Sequence, residues 1–313
     1  MDERPLTRLQ AERRGPLDRL GARYDALATV VRRHDRTYAA AIQSFPPMAA
    51  QELLRTHAAE APVDSTLRRC GDPHVRSLVA RRGTLHNSAV LVLDRIERGR
   101  LVAVAAAYFD MLATCDSLRA EWLEATSPES PLPLRSRAEA LAGPDPLRSG
   151  RGRAAAIGVS VVTTVPRESG RAVVLGRRRD TLATDPGAWH VAPSGMLEPA
   201  EPPADSLLAT VGSELWEEIG VRLDREALAT RLLPLGVGFD LLRLRPELCL
   251  RLDLGASEAP DGQPNLSDDE FEDRQEVPLD ELPAFWVRHP PSLITPAAAA
   301  ALALIEAHPR GAD

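Results

Sequence analysis

The chain has 313 residues and a formal net charge of −7, a length that accommodates two domains with sizeable cores. Acidity is concentrated late: the first 150 residues balance at about +3 and the remainder at about −10, which argues against a nucleic-acid binder, since that function needs basic stripes. Every basic residue other than histidine is arginine, so no lysine is available as a base or Schiff-base nucleophile. Cys70, Cys115 and Cys249 are far apart and form no C-x-x-C pair, the pattern of reduced thiols in a cytoplasmic protein. No secretory segment opens the chain, and no apolar run reaches the ~18 residues of a membrane helix, so a soluble protein without membrane contact is expected.

In chain order, Leu17, Leu20, Tyr24, Leu27, Val31, His34, Tyr38, Ile42 and Phe45 recur at steps of three and four, the seam of a long amphipathic helix ended by Pro46 and Pro47. A shorter helix is predicted over Met48–Ala59 and another within His74–Glu97. Leu101, Val104, Tyr108, Leu112, Cys115, Leu118 and Trp122 then repeat the helical step. Residues 1–126 therefore read as an all-helical domain whose stripes bury against each other or against a second subunit, giving a homodimer. His34 within the first stripe reads as a packed core histidine. Cys70 and His74 are two zinc-ligand types alone, which is too few for a site.

Residues 127–152 are rich in Pro, Ser, Gly and Arg, the composition of a linker with one short helical turn. Beyond them, residues 153–313 read as an α+β domain with a mixed sheet. Ala155–Val165, Arg171–Arg179 and Trp189–Gly195 read as strands. Leu248, Leu250, Leu252 and Leu254 alternate with Cys249, Arg251 and Asp253 as a half-buried strand would. Thr295 and Pro296 form the N-cap and first turn of an Ala-rich terminal helix reaching about His308.

Chemistry concentrates between Ser194 and Val221. Ser206–Ile219 is predicted to be helical, with Leu207, Leu208, Val211 and Leu215 on its apolar side and Gly220 as its terminator. Glu214, Glu217 and Glu218 then share the other side. Like charges at these spacings repel and also oppose the negative end of the helix dipole. Either this face is simply solvated, or a hard divalent cation such as Mg²⁺ or Mn²⁺ sits on it.

The stretch SGMLEPAE…SELWEEIGV resembles the Nudix box, G-x5-E-x7-R-E-U-x-E-E-x-G-U with U an apolar residue. Gly195 and Glu201 match its first part; Glu214, Leu215, Glu217, Glu218, Gly220 and Val221 match its last. The resemblance spans about residues 153–308 and implies a Nudix-like α/β/α sandwich. Two features depart from the pattern. The interval after Glu201 is four residues longer, best placed as an insertion at Pro202–Asp205 ahead of the helix, and Ser213 stands where the family has an arginine that pairs with the box glutamate.

The resemblance implies a Mg²⁺- or Mn²⁺-dependent hydrolase of a small-molecule diphosphate, commonly a nucleoside diphosphate joined to another group. By carry-over, Glu214, Glu217 and Glu218 are catalytic metal ligands, with Glu201 as a further ligand position. The general base comes from the box or from a later loop, where Glu270 and Glu272 are candidates whose other reading is a solvated charge run. Arg177, Arg178 and Arg179 end a strand near the box loop; guanidinium groups grip phosphate bidentately, so Arg177 and Arg179, with Gly195, are candidate substrate contacts. Trp189 and His190 read as structural. The rival reading is a non-catalytic Nudix-like sensor or scaffold with a helical interaction domain.

Overall fold

The computed structural model describes residues 14–46, 48–82, 85–125, 127, 130–168, 170–182, 184–256, 258 and 270–308. Pro47 and the Asp268–Asp269 part of the late acidic loop lie outside them. The α+β class and the mixed sheet are as expected, but the N-terminal stripes are not helical throughout. Helix α1 (Arg14–Tyr24) gives way to strands β1 (Thr29–Arg33) and β2 (Arg36–Ser44). The hairpin turn falls at His34 and Asp35, both with positive φ (48° and 60°), as a tight two-residue connection demands. Tyr38 and Ala40 enter one core cluster and Ala41 the other, so the apolar positions serve a strand buried on both faces. His34 is thus a turn residue, its Nε2 donating to Pro283 O at 3.1 Å.

The same correction holds further on. Met48–Ala59 carries only a short 3₁₀ turn before strand β3 (Leu54–Glu60). Helix α2 spans Ser65–Arg82, and the next stripes are strands β4 (Ala89–Glu97) and β5 (Arg100–Ala107). Only from Tyr108 does the stripe become helical, as α3 (Tyr108–Met111), a π-helical stretch Leu112–Asp116 and α4 (Ser117–Glu124). β3, β5 and β4 form a small sheet in that order. These apolar positions, which implied a dimer seam, are covered within the chain itself.

The stretch expected to be a linker carries helix α5 (Pro133–Ala142), and its Arg135 is fully buried. Arg135 Nη1 donates to Tyr24 Oη and to Leu241 O, each at 2.9 Å. This guanidinium therefore clamps α1 to the turn after Asp240.

The main sheet has nine strands, in order β1-β2-β10-β11-β6-β7-β12, with β8 on β7 and β9 on β6. Besides β1 and β2 they are β6 (Gly158–Arg167), β7 (Gly170–Arg178), β8 (Trp189–Val191), β9 (Ser194–Met196), β10 (Leu233–Asp240), β11 (Arg245–Asp253) and β12 (Phe271–Pro278). The β11–β6 pair is parallel and its neighbours are antiparallel. Both faces are covered, as expected of a strand set this apolar. Leu248, Leu250 and Leu252 enter one cluster and Cys249 the other, while Arg251 is itself buried, so β11 is buried on both sides rather than half-buried.

On one face lie α8 (Leu282–Arg288) and α9 (Pro296–Ala307). Thr295 caps α9 as expected, accepting from Ala298 N–H at 3.1 Å, and its alanines bring it close: a Cβ on Gly238 would fall 2.4 Å from Ala300 Cβ. On the other face lie α6 (Ser206–Ile219), α7 (Arg225–Arg231) and the N-terminal elements. Pro203–Asp205 forms a 3₁₀ turn before α6, so the extra residues lengthen the loop and leave the helix intact. Gly220 ends α6 with φ 69°, the left-handed conformation that glycine adopts without strain. No helix among the described residues is long and apolar enough to cross a membrane.

The packing of α2 on the π-helical stretch has a sharp signature. A Cβ on Gly71 would lie 1.9 Å from Ala113 O, a backbone atom. In an exposed helix Gly→Ala stabilises by about 1 kcal/mol, whereas overpacking costs about 1–3 kcal/mol. Gly71→Ala is expected to destabilise the protein by about 2 kcal/mol in urea unfolding, a reversal of the usual sign.

Candidate active site

A cavity of about 370 Å³ opens where the strand ends of the main sheet meet α6 and the N-terminal α3 turn. Its size suits a small molecule. From α6 comes Glu214; from β9, Ser194, Gly195 and Met196; from the β12 start, Glu270. Arg178 enters from the end of β7, Thr184 and Asp185 from the loop after it, and His190 from β8. Asp240, Arg243, Arg245 and Glu247 enter from the β10–β11 hairpin, and Tyr108, Met111 and Asp116 from the N-terminal region.

The helix carboxylates divide. Glu218 is buried and accepts from the Ser194 N–H at 3.2 Å and the Ser194 hydroxyl at 3.4 Å. Glu214 lies against Gly195, where a Cβ would fall 2.1 Å from its Oε1, so a larger residue there would make the Glu214 carboxylate shift. Burial first, then the negative charges of Glu270, Glu217 and Glu198, push the Glu214 carboxyl up to about 7. Burial, with Glu270 and Glu214, raises Glu218 well above the usual range against the opposing effects of Arg178 and the Ser194 N–H. Glu217 is exposed and accepts from Ser213 Oγ at 2.7 Å, at the rim rather than in the cavity. Among the described residues no group of three His, Cys, Asp or Glu side chains is gathered into a ready-made metal cage.

Other expected residues are redistributed. Alternation along β7 sends Arg178, not Arg177 or Arg179, into the cavity; its Nε donates to Thr184 O at 3.1 Å, and its Nη1 stands 3.8 Å from Glu270. Arg177 instead pairs with Glu272 at 2.8 Å, which removes both from the cavity, and Arg179 is bound through its backbone N–H to Glu270 O at 2.9 Å. Glu201 is exposed, carried away by the extended loop; Glu198, three residues earlier, is the acid whose charge reaches Glu214. Trp189 is core, as expected.

Beneath the cavity lies a charge cluster that local sequence does not reveal. Arg243, almost fully buried, pairs through Nε with Asp116 at 2.5 Å, through Nη1 with Asp240 at 2.6 Å and through Nη2 with Asp185 at 3.5 Å. Arg119 completes it, 2.8 Å from Asp185. Burial works against the charged form of Arg243, but the three carboxylates outweigh it and raise its pKa further. Burial likewise opposes ionisation of Asp185 and Asp116, and the surrounding guanidinium groups win, holding both below the usual carboxylate range. Glu247 differs: burial pushes it up to about 7 although Ser160 Oγ donates to it at 2.5 Å. The available signal was the spacing of two between Arg243, Arg245 and Glu247, which directs side chains to one side of an entering strand.

A family model for the NUDIX domain matches residues 155–296. This part of the chain belongs to the Nudix family. The Nudix domain contributes every cavity residue named above except Tyr108, Met111 and Asp116. Solved structures with similarity include the NUDIX domain of Shewanella oneidensis NrtR complexed with ADP ribose, at 16% identity over 49% of this chain and 88% of that one, TM-score 0.36. A MutT NUDIX hydrolase from Burkholderia pseudomallei shows 23% identity over 48% of this chain and 97% of that one, TM-score 0.33. A C. elegans Ap4A hydrolase shows 12% identity over 41% and 82%, TM-score 0.27. Comparison with curated proteins found no match.

Two outcomes follow from the buried charges. Arg243→Met leaves three aspartates without their cation and is expected to destabilise the protein by about 3–5 kcal/mol, against under about 1 kcal/mol for loss of the exposed Arg32–Asp25 pair, both read by urea unfolding. His190 is buried with its Nδ1 2.6 Å from Thr295 Oγ1, and burial followed by Arg178 pushes its pKa down to about 3. Below about pH 6.5 the unfolded chain binds a proton at His190 that the folded chain refuses, so stability falls with acid by about 1.4 kcal/mol per unit from this group. The stability gap between wild type and His190→Gln, measured at pH 7 and pH 5, is expected to shift by about 2 kcal/mol in favour of the variant at the lower pH. Parallel pH dependences would show that folded His190 takes up the proton.

Proposed function

We propose that the chain is a divalent-metal-dependent hydrolase that splits the diphosphate linkage of a small nucleoside-diphosphate derivative. The supporting observation is that Glu214 and Glu270 line one cavity and Glu218 is buried against its Ser194 wall, with no arginine ion-paired to either helix carboxylate among the described residues. Such a donor set fits Mg²⁺ or Mn²⁺. These ions are held by one or two carboxylates together with waters and substrate phosphates rather than by an all-protein cage.

Glu214 and Glu218 would hold the ion, with Glu270 beside them. When bound, it neutralises phosphate charge and acidifies a water. The protein's own contribution is orientation: the Ser194 N–H and hydroxyl fix Glu218, and Gly195 leaves Glu214 its place. Arg178 presents a guanidinium to the same cavity for a phosphate oxygen. Glu270 is the general-base candidate at the cavity, whereas the pairing of Glu272 with Arg177 removes it from that role.

A second reading, a Nudix-like sensor that binds without hydrolysis, is favoured by one feature. Ser213 replaces the box arginine and ties down Glu217 at the exposed rim, reducing the number of carboxylates turned inward. One experiment separates the two readings. Nucleotide sugars, dinucleotides and nucleoside triphosphates are incubated with Mg²⁺ or Mn²⁺ and both products are read by mass spectrometry. Turnover of at least one compound is expected, and Glu218→Gln is expected to lower it by about a hundredfold or more, since even changes behind metal ligands reach that loss. Binding across the panel without turnover would select the sensor.

A further inference from the structure

Three guanidinium groups line the cavity, and their charges are differently committed. Arg243 is neutralised by three aspartates. Arg178 has the Thr184 carbonyl and Glu270. Arg245 has no ion pair among the described residues; its Nη1 meets only Met111 Sδ, at 3.4 Å. Its Nε is buried without a hydrogen-bond partner, and among the side-chain nitrogens in that condition it is the one whose residue lines the cavity. A half-buried guanidinium whose Nε is sealed from water and whose Nη1 meets a thioether lacks the oxygen acceptors that its planar fork is built to bind.

The two less committed arginines also occupy different parts of the cavity. The charge of Arg178 acts on Glu218, whereas that of Arg245 acts on Asp116, Glu247 and Tyr108. Arg245 thus stands on the side walled by the N-terminal Tyr108 and Met111, which lie outside the Nudix match. A diphosphate entering a cavity this rich in carboxylates needs a cation on that side as well.

We propose that Arg245 is a substrate-recognition residue that grips a phosphate of a nucleoside diphosphate group, with the N-terminal Tyr108–Met111 turn as the wall of that subsite. This rests on the reading that the cavity takes a diphosphate, but not on its being cleaved. The test is therefore binding of α,β-methylene-ADP, whose bridge resists hydrolysis, measured by calorimetry with Mg²⁺ on the full chain. Arg245→Gln is expected to weaken binding at least about tenfold, and Arg245→Lys severalfold, since lysine keeps the charge but loses the fork. Arg151→Gln, an exposed charge loss outside the cavity, is expected to bind as wild type does. On any compound that is hydrolysed, Arg245→Gln is expected to raise KM far more than it lowers kcat.

Unchanged affinity in Arg245→Gln, or no binding of α,β-methylene-ADP by the wild type, would overturn the assignment. If the glutamine variant does not fold, Arg245→Lys decides, and wild-type affinity there overturns it. Absence of turnover together with Arg245-dependent binding would remove the hydrolase reading and leave this one standing.

Discussion

A guanidinium group sealed from water must be surrounded by acceptors, because the desolvation of an unpaired charge exceeds what packing returns. Arg243 meets that constraint with aspartates drawn from three places: Asp116 from the N-terminal helical stretch, Asp185 from the loop after β7, and Asp240 from the end of β10. Each of these segments also contributes to the cavity. The cluster therefore fixes the cavity floor, and the same electrostatic demand that holds Arg243 in place also sets where Arg245, two residues later, enters the opening.

The cavity's chemistry is the counterpart of that cluster. Below, cations and anions are matched, and Asp116 and Asp185 stay ionised. Toward the opening the balance fails in both directions. Burial, and then neighbouring carboxylates, raise Glu214 and Glu218, and Arg245 has no ion pair among the described residues. Perturbed carboxylates in a cleft are where function concentrates. The cation and anions of the proposed metal-bound diphosphate would answer both mismatches at once.

What the sequence revealed follows the range of the interactions involved. Helix α6, its Gly220 terminator and the Thr295 cap of α9 are set by neighbours within four residues, and each formed where local chemistry placed it. The N-terminal stripes failed because spacings of three and four, when sparse, also fit a strand buried on both faces; the deciding information was the β-branched run Thr29–Val31 and the turn at His34 and Asp35. Alternation along β7 was legible, but its phase was not, so Arg177 and Arg179 were favoured over Arg178. Glu201 matched the box by count, yet its loop turns it outward and brings Glu198 nearer to Glu214. The pairing of Arg243 with Asp116 spans 127 residues, and nothing local to either records it.

Strand β2 ties the N-terminal region to the β10–β11 hairpin. β2 pairs with β10 from Ser44 opposite Gly236 to Ala40 opposite Asp240, and Leu241 N–H continues the ladder to Ala39 O at 3.0 Å. Without β2, β10 would be a long apolar edge, the kind of strand that invites aggregation, and the hairpin bearing Asp240, Arg243 and Arg245 would lose the ladder that holds its root. Arg135 secures the same turn from the other side, through the Leu241 carbonyl. The N-terminal region is therefore a structural part of the Nudix sheet as well as a wall of the cavity. Its strand, its buried Asp116 and its Met111 all converge on one hairpin, so selection acting on substrate fit at Arg245 acts on the packing of both halves of the chain.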